Sequence, residues 1–170
     1  TPTATLGDAS ATVNWSAVTG TNIVQPVTYT VTSNPAGGTC VVGGLGATCT
    51  GLTNGTSYTF TVSATDSTAG THLTGSAVTA AVIPAKPTSA PRNPYAAPGN
   101  NSALVYWQAP ATGTAPFVYT VTASPSGAAV CSVSGLMASC TGLVNATDYT
   151  FTVKSTNASG TATATSVPTN

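Results

Sequence analysis

Between Ser57 and Ala64 apolar and polar side chains alternate, with Tyr58, Phe60 and Val62 on one face and threonine or serine on the other. A period of two is the mark of a half-buried β-strand. The same alternation makes residues 3–16 one strand with Ala11, Val13 and Trp15 on one face, and places Val27, Tyr29 and Val31 on one face of the next. Shorter stretches at Cys40–Val42, Ala47–Thr50 and Ser76–Ile83 complete the set. Turn-forming segments separate them: a loop at Val18–Pro26, then Asn34-Pro35-Ala36-Gly37-Gly38, the glycine-rich Gly43–Gly46, and Asp66–Gly70. Helical periodicity is absent. The pattern predicts an all-β chain of short strands packed as an antiparallel sandwich.

The pattern occurs twice. Leu52, Asn54, Tyr58, Phe60 and Val62 return 91 positions later as Leu143, Asn145, Tyr149, Phe151 and Val153. Cys40 and Cys49 return as Cys131 and Cys140 at the same displacement, and Trp15 returns as Trp107. The second set of strands is expected at Leu104–Trp107, Val118–Val121, Tyr149–Val153 and Thr161–Val167. Two domains follow, 1–84 and 85–170, joined by a proline-rich connector at about 83–98 that holds Pro84, Pro87, Pro91, Pro94 and Pro98. Proline fixes φ, so the connector reads as a stiff spacer, with its latter part serving as an edge strand of the second domain. The first repeat has no counterpart of Pro87–Arg92. Its opening strand is expected to be short, either because the chain is cut from a longer array or because a neighbour completes the edge.

Composition narrows the function. Only 4% of the residues are charged, with no glutamate among them, against roughly a quarter in ordinary domains. Threonine, serine and asparagine must hydrate such a surface, which offers no basic stripe to phosphates and so excludes nucleic-acid binding. Weak long-range repulsion permits copies to pack side by side. No run of eighteen apolar residues is present, so no helical membrane span is expected. The chain starts at Thr1 without a methionine or an export signal, which is expected of a processed or excised segment.

The cysteines form an even set, one pair per repeat and without CxxC spacing, which predicts the disulfides Cys40–Cys49 and Cys131–Cys140. An extracellular or cell-surface location follows. His72 is the only histidine and lacks a repeat counterpart, so neither a metal site nor a cofactor is expected.

With these residues in view, the chain resembles tandem fibronectin type III domains of bacterial secreted and surface proteins. The likeness rests on Trp15 and Trp107, on the Leu52…Tyr58 and Leu143…Tyr149 spacing that is similar to a tyrosine corner, and on the Tyr-x-Phe-x-Val strand. It implies two antiparallel sandwiches with Trp15, Tyr58, Trp107 and Tyr149 as structural core. The chain departs from immunoglobulin domains in that its cysteines straddle the segment before the corner rather than flanking the tryptophan.

Catalysis finds little support. Asp66 is matched in the repeat by Asn157, and a carboxylate exchangeable for an amide is a turn residue rather than an acid or base. Glycoside hydrolysis usually needs two carboxylates and serine hydrolysis a histidine. If Trp107 faces inward, Tyr106 faces outward, and with Tyr95 and Phe117 it is expected to form an exposed aromatic patch. Asn-x-Ser/Thr triplets at Asn14, Asn54, Asn100, Asn145 and Asn157 are frequent by chance in so threonine-rich a chain. The expected function is a non-catalytic structural or adhesive module, a subunit of a surface filament, fibre or matrix. Its expected partners are copies of itself or other cell-surface components. The alternative is a spacer or glycan-contacting accessory region of a secreted polysaccharide-degrading enzyme.

Overall fold

The structure, a computed structural model, describes residues 1–67 and 74–165. It divides into two compact units, Thr1–Lys86 and Pro87–Asn170. In the first unit β1 (Thr3–Gly7), β2 (Ser10–Asn14), β5 (Gly46–Thr50) and β4 (Thr39–Gly43) form one antiparallel sheet in that spatial order. β3 (Thr28–Asn34), β6 (Thr59–Thr65) and β7 (Thr74–Val78) form the other, with β6 in the middle. The second unit repeats the scheme. β8 (Arg92–Gly99), β9 (Ser102–Gln108), β12 (Met137–Thr141) and β11 (Val130–Ser134) make one sheet. β10 (Val118–Ser124), β13 (Thr150–Asn157) and β14 (Gly160–Thr165) make the other. A sheet of strands one, two, five and four facing a sheet of three, six and seven is the seven-strand immunoglobulin-like arrangement.

Alternation decides which side chains meet between the sheets. Ala11 and Val13 of β2, Ala47 and Cys49 of β5, and Phe60 and Val62 of β6 are buried, and the polar residues between them in β2 and β5 are exposed. The second core gathers Val105, Trp107, Cys140, Phe151 and Val153 in the same way. Each hydrophobic core thus belongs to one unit.

Three expectations need correction. Residues 3–16 hold a hairpin, β1 and β2, rather than one strand; the chain reverses at Asp8-Ala9, where Ala9 takes φ 46°. The Ser76–Ile83 strand is interrupted. β7 ends at Val78, buried Thr79 donates its N–H to Phe60 O and accepts Phe60 N–H on its hydroxyl, and pairing resumes at Val82 opposite Tyr58. Finally, the connector is not a free spacer. Ala85 N–H donates to Gly7 O and Gly55 N–H to Pro84 O inside the first unit, and Ser89 N–H donates to Thr112 O inside the second. Pro94 and Pro98 do sit in the edge strand β8, where a missing N–H leaves no ladder bond broken. His72 and most of the turn expected at Asp66–Gly70 lie outside the described residues, as does the end of the strand expected at Thr161–Val167.

Candidate interaction surfaces

Both disulfides form between directly opposed residues of neighbouring strands. Cys40 on β4 faces Cys49 on β5 with Cα atoms 3.9 Å apart, and Cys131 on β11 faces Cys140 on β12 at 4.0 Å. They tie an edge strand to its own sheet and leave the two sheets unlinked. The ties matter because β4 is short and shares only β5 as a ladder partner. Tight two-residue turns at Gly44-Leu45 and Gly135-Leu136 close the hairpins, with Gly44 and Gly135 at φ 63° and 60°, a conformation glycine adopts without penalty. The carbonyls of Leu45 and Leu136 accept the backbone N–H of Trp15 and Trp107.

The end of each sandwich is closed by one residue pair that sequence reading connected and another that it did not. The buried tyrosines act as corners: Thr53 N–H donates to Tyr58 Oη and Val144 N–H to Tyr149 Oη, both at 3.2 Å. Asn54 accepts Ala9 N–H at 2.8 Å and donates to Asp8 at 2.7 Å. Asn145 accepts Asn101 N–H at 2.8 Å and donates to Asn100. These amides fasten the first hairpin of each unit to the corner across more than forty residues of chain. The signal was present in the repeat itself, since Asn54 and Asn145 hold equivalent places while their neighbours change.

Asp66 and Asn157 also share a role. Asp66 is buried and its carboxylate accepts Val24 N–H at 3.3 Å; Asn157 donates to Thr114 O and accepts Ser159 N–H. Each holds the loop that leads into the third strand of its unit, a positioning task that either an acid or an amide performs.

The expected aromatic patch is divided. Tyr95 and Tyr106 stack across β8 and β9 with centroids 6.4 Å apart and planes at 20°, and both are well exposed. Phe117 is elsewhere, half-buried just before β10 in the other sheet and 6.5 Å from Tyr119. The division follows from topology, because β8 and β9 belong to one sheet and Phe117 lies on the chain leading into β10 of the other. Trp107 is buried against Tyr119 at 5.4 Å, and burial pushes the Tyr119 hydroxyl above its ordinary pKa of 10.0. Trp15 meets Tyr29 at the same centroid distance but is only half-buried.

That difference has a cause. In the second unit Pro87–Pro91 runs along the open side of the sandwich before the chain enters β8. Thr88 Oγ1 lies 3.2 Å from Ser155 Oγ on β13, Ser155 Oγ donates to Ser89 O, and Thr112 N–H donates to Ser89 Oγ. On the corresponding face of the first unit lies a groove of about 520 Å³, whose lining includes Trp15, Tyr29, Val62, Ala64, Asp66 and Ala77.

The architecture defines an immunoglobulin-like antiparallel sandwich with a tyrosine corner, built twice. Residues 89–170 match the family model described as "Fibronectin type III domain". The match lies in the second unit, and the first unit repeats that unit's strand order, disulfide and corner. Chitinase A1 of Niallia circulans is 35% identical over 158 residues, covering 89% of this chain and 22% of that protein. A crystal structure of consecutive titin domains superposes with a TM-score of 0.51 at 14% identity, covering 99% of this chain and 65% of the titin chain. The titin likeness is one of fold alone. The chain therefore spans about a fifth of the chitinase and under two thirds of the titin fragment.

Proposed function

We propose that this chain is a non-catalytic extracellular structural module that assembles with copies of itself into a filament, fibre or matrix on the cell surface. The observation that carries this reading is the near-uncharged surface, with 4% of the residues charged, on which copies meet little electrostatic repulsion. Edge strands such as β4 and β7 add main-chain groups with which another chain can pair. Contact between such an edge and a different surface is heterologous, and when its rotation does not close it propagates into a filament.

Negative-stain electron microscopy of native extracellular material containing this chain tests the reading. Regular filaments with an axial repeat near the length of one or two units are the expected result. Dispersed short rods at high concentration refute it.

A second reading is favoured by the similarity to the chitinase: an accessory segment of a secreted glycan-degrading enzyme, with the stacked Tyr95 and Tyr106 as the sugar-facing platform. Flat exposed rings offer apolar faces on which a pyranose ring can rest. Replacing both tyrosines by alanine should then release the protein from insoluble glycan. Unchanged retention disposes of this version.

A further inference from the structure

We propose that Asn54 is a site of spontaneous hydrolytic modification, and that its conversion to an acid permanently unlatches the first hairpin of the first unit. Of the asparagines in the chain, Asn54 alone is followed by glycine, Gly55, whereas its equivalent Asn145 is followed by Ala146. An asparagine amide is lost through its own backbone when the nitrogen of the next residue reaches the side-chain carbonyl carbon. Glycine leaves that nitrogen unshielded, because it carries no Cβ. Gly55 is exposed and Asn54 half-buried, so water reaches the turn.

The step exchanges an amide for an acid, with water as the co-reactant. The Gly55 nitrogen attacks Asn54 Cγ and gives its proton to water. The Cγ–Nδ2 bond breaks, and the nitrogen leaves as ammonia with a proton taken from water. The succinimide ring so formed takes up one water molecule at either carbonyl. Opening at one carbonyl leaves an aspartyl residue, and opening at the other leaves an isoaspartyl residue whose backbone runs through the former side chain.

The folded corner holds the reacting groups in other bonds. Gly55 N–H donates to Pro84 O at 2.9 Å, Asn54 Nδ2 donates to Asp8 Oδ1 at 2.7 Å, and Asn54 Oδ1 accepts Ala9 N–H at 2.8 Å. The reaction therefore waits on a local opening in which this turn releases Pro84 and the β1–β2 hairpin. Closure afterwards meets a different partner. A carboxylate then faces the Asp8 carboxylate where an amide had donated, and two ionised acceptors at that distance share no proton and repel. An opening made once is thus recorded in the chain.

The second unit supplies the contrast. Asn145 makes the equivalent bonds, accepting Asn101 N–H and donating to Asn100. The residue that follows it carries a Cβ, and the residue opposite is an amide, which has a donor to turn toward a carboxylate. The two turns nonetheless share a left-handed backbone, with Gly55 at φ 84° and Ala146 at φ 61°. Two exchanged residues, Gly55 for Ala146 and Asp8 for Asn100, confine the device to the first unit.

Incubation of the full chain in mildly alkaline buffer, with and without strong urea, followed by peptide mass spectrometry, tests the chemistry. Asn54 should convert in urea to aspartate and isoaspartate, and at least about tenfold more slowly in the folded chain, as a required opening dictates. In urea Asn145 should convert at least about tenfold more slowly than Asn54. Gly55→Ala should slow Asn54 to the rate of Asn145, and Ala146→Gly should raise Asn145 to the rate of Asn54. Equal rates at the two asparagines in urea, or equal rates at Asn54 with and without urea, overturn the proposal.

Hydrogen exchange reads the consequence. In Asn54→Asp the amides of β1 and β2 should exchange at least about tenfold faster than in the parent chain, while those of β8 and β9 stay unchanged. The double variant Asn54→Asp/Asp8→Asn restores an amide opposite a carboxylate, and protection should return. Parent-like exchange in Asn54→Asp, or a loss of protection that Asp8→Asn does not relieve, overturns the latch.

Discussion

The tyrosine corner of the second unit carries the sharpest prediction. Tyr149 is 6% exposed, and its hydroxyl oxygen accepts the N–H of Val144 at 3.2 Å. Tyr149→Phe keeps the ring and its contact with Phe151 but removes the acceptor of that N–H. The bond is part-buried and Val144 itself is exposed, so the freed N–H can turn to water, and the loss expected is that of an ordinary hydrogen bond, about 0.5–1.5 kcal/mol. For a unit of this size each kilocalorie lowers Tm by about 4–8 °C, so a fall of roughly 2–12 °C should follow. Urea unfolding followed by Trp107 emission, in a Trp15→Phe background, isolates the second unit. Tyr106→Phe provides the control, because an exposed hydroxyl should change stability by less than about 0.5 kcal/mol. If Tyr149→Phe loses no more than this control, the corner is a filler of space and its hydrogen bond anchors nothing.

Other outcomes follow from the same geometry. Asn145→Ala removes the amide that accepts Asn101 N–H and donates to Asn100, and should cost about 1–2 kcal/mol by the same unfolding assay. Asn54→Ala should do likewise in the first unit. Reducing either disulfide frees a loop of about ten residues and should lower stability by roughly 2–3 kcal/mol in the chain-entropy account, seen as a lower melting temperature with reductant present. Alkaline stability should report Tyr119. Because burial raises its folded pKa above 10.0, the folded chain keeps the phenol proton longer than the unfolded chain. Its contribution is complete below pH 10.0 and is lost as pH rises beyond that value. Tyr119→Phe should flatten the decline, and an unchanged profile would sink the assignment.

Much of the fold was legible because it depends on a local period. Alternation located the buried faces around Phe60 and Phe151, and the repeat made the cysteine pairing evident. The turn at Asp8-Ala9 was not legible, because alanine at φ 46° gives no cue of the kind glycine gives. The break at Thr79 depends on a side chain taking over a backbone bond with Phe60, which no periodicity records. The proline connector misled for a related reason: proline reports a fixed φ but not which surface the strand will meet. Topology, finally, separates Phe117 from Tyr95 and Tyr106, and a linear reading carries no account of which sheet each strand joins.

The cross-strand disulfides have a mechanical consequence. If either unit is pulled from its ends and its sandwich gives way, the chain between Cys40 and Cys49, or between Cys131 and Cys140, cannot pay out. Nine residue steps extended span about 30–32 Å, against Cα separations of 3.9 and 4.0 Å across the bridges. Each bridge thus withholds about 26–28 Å of contour length. A taut array of such units would stretch less under sudden load than its residue count implies, and would release that slack only where a reductant reached the sulfurs.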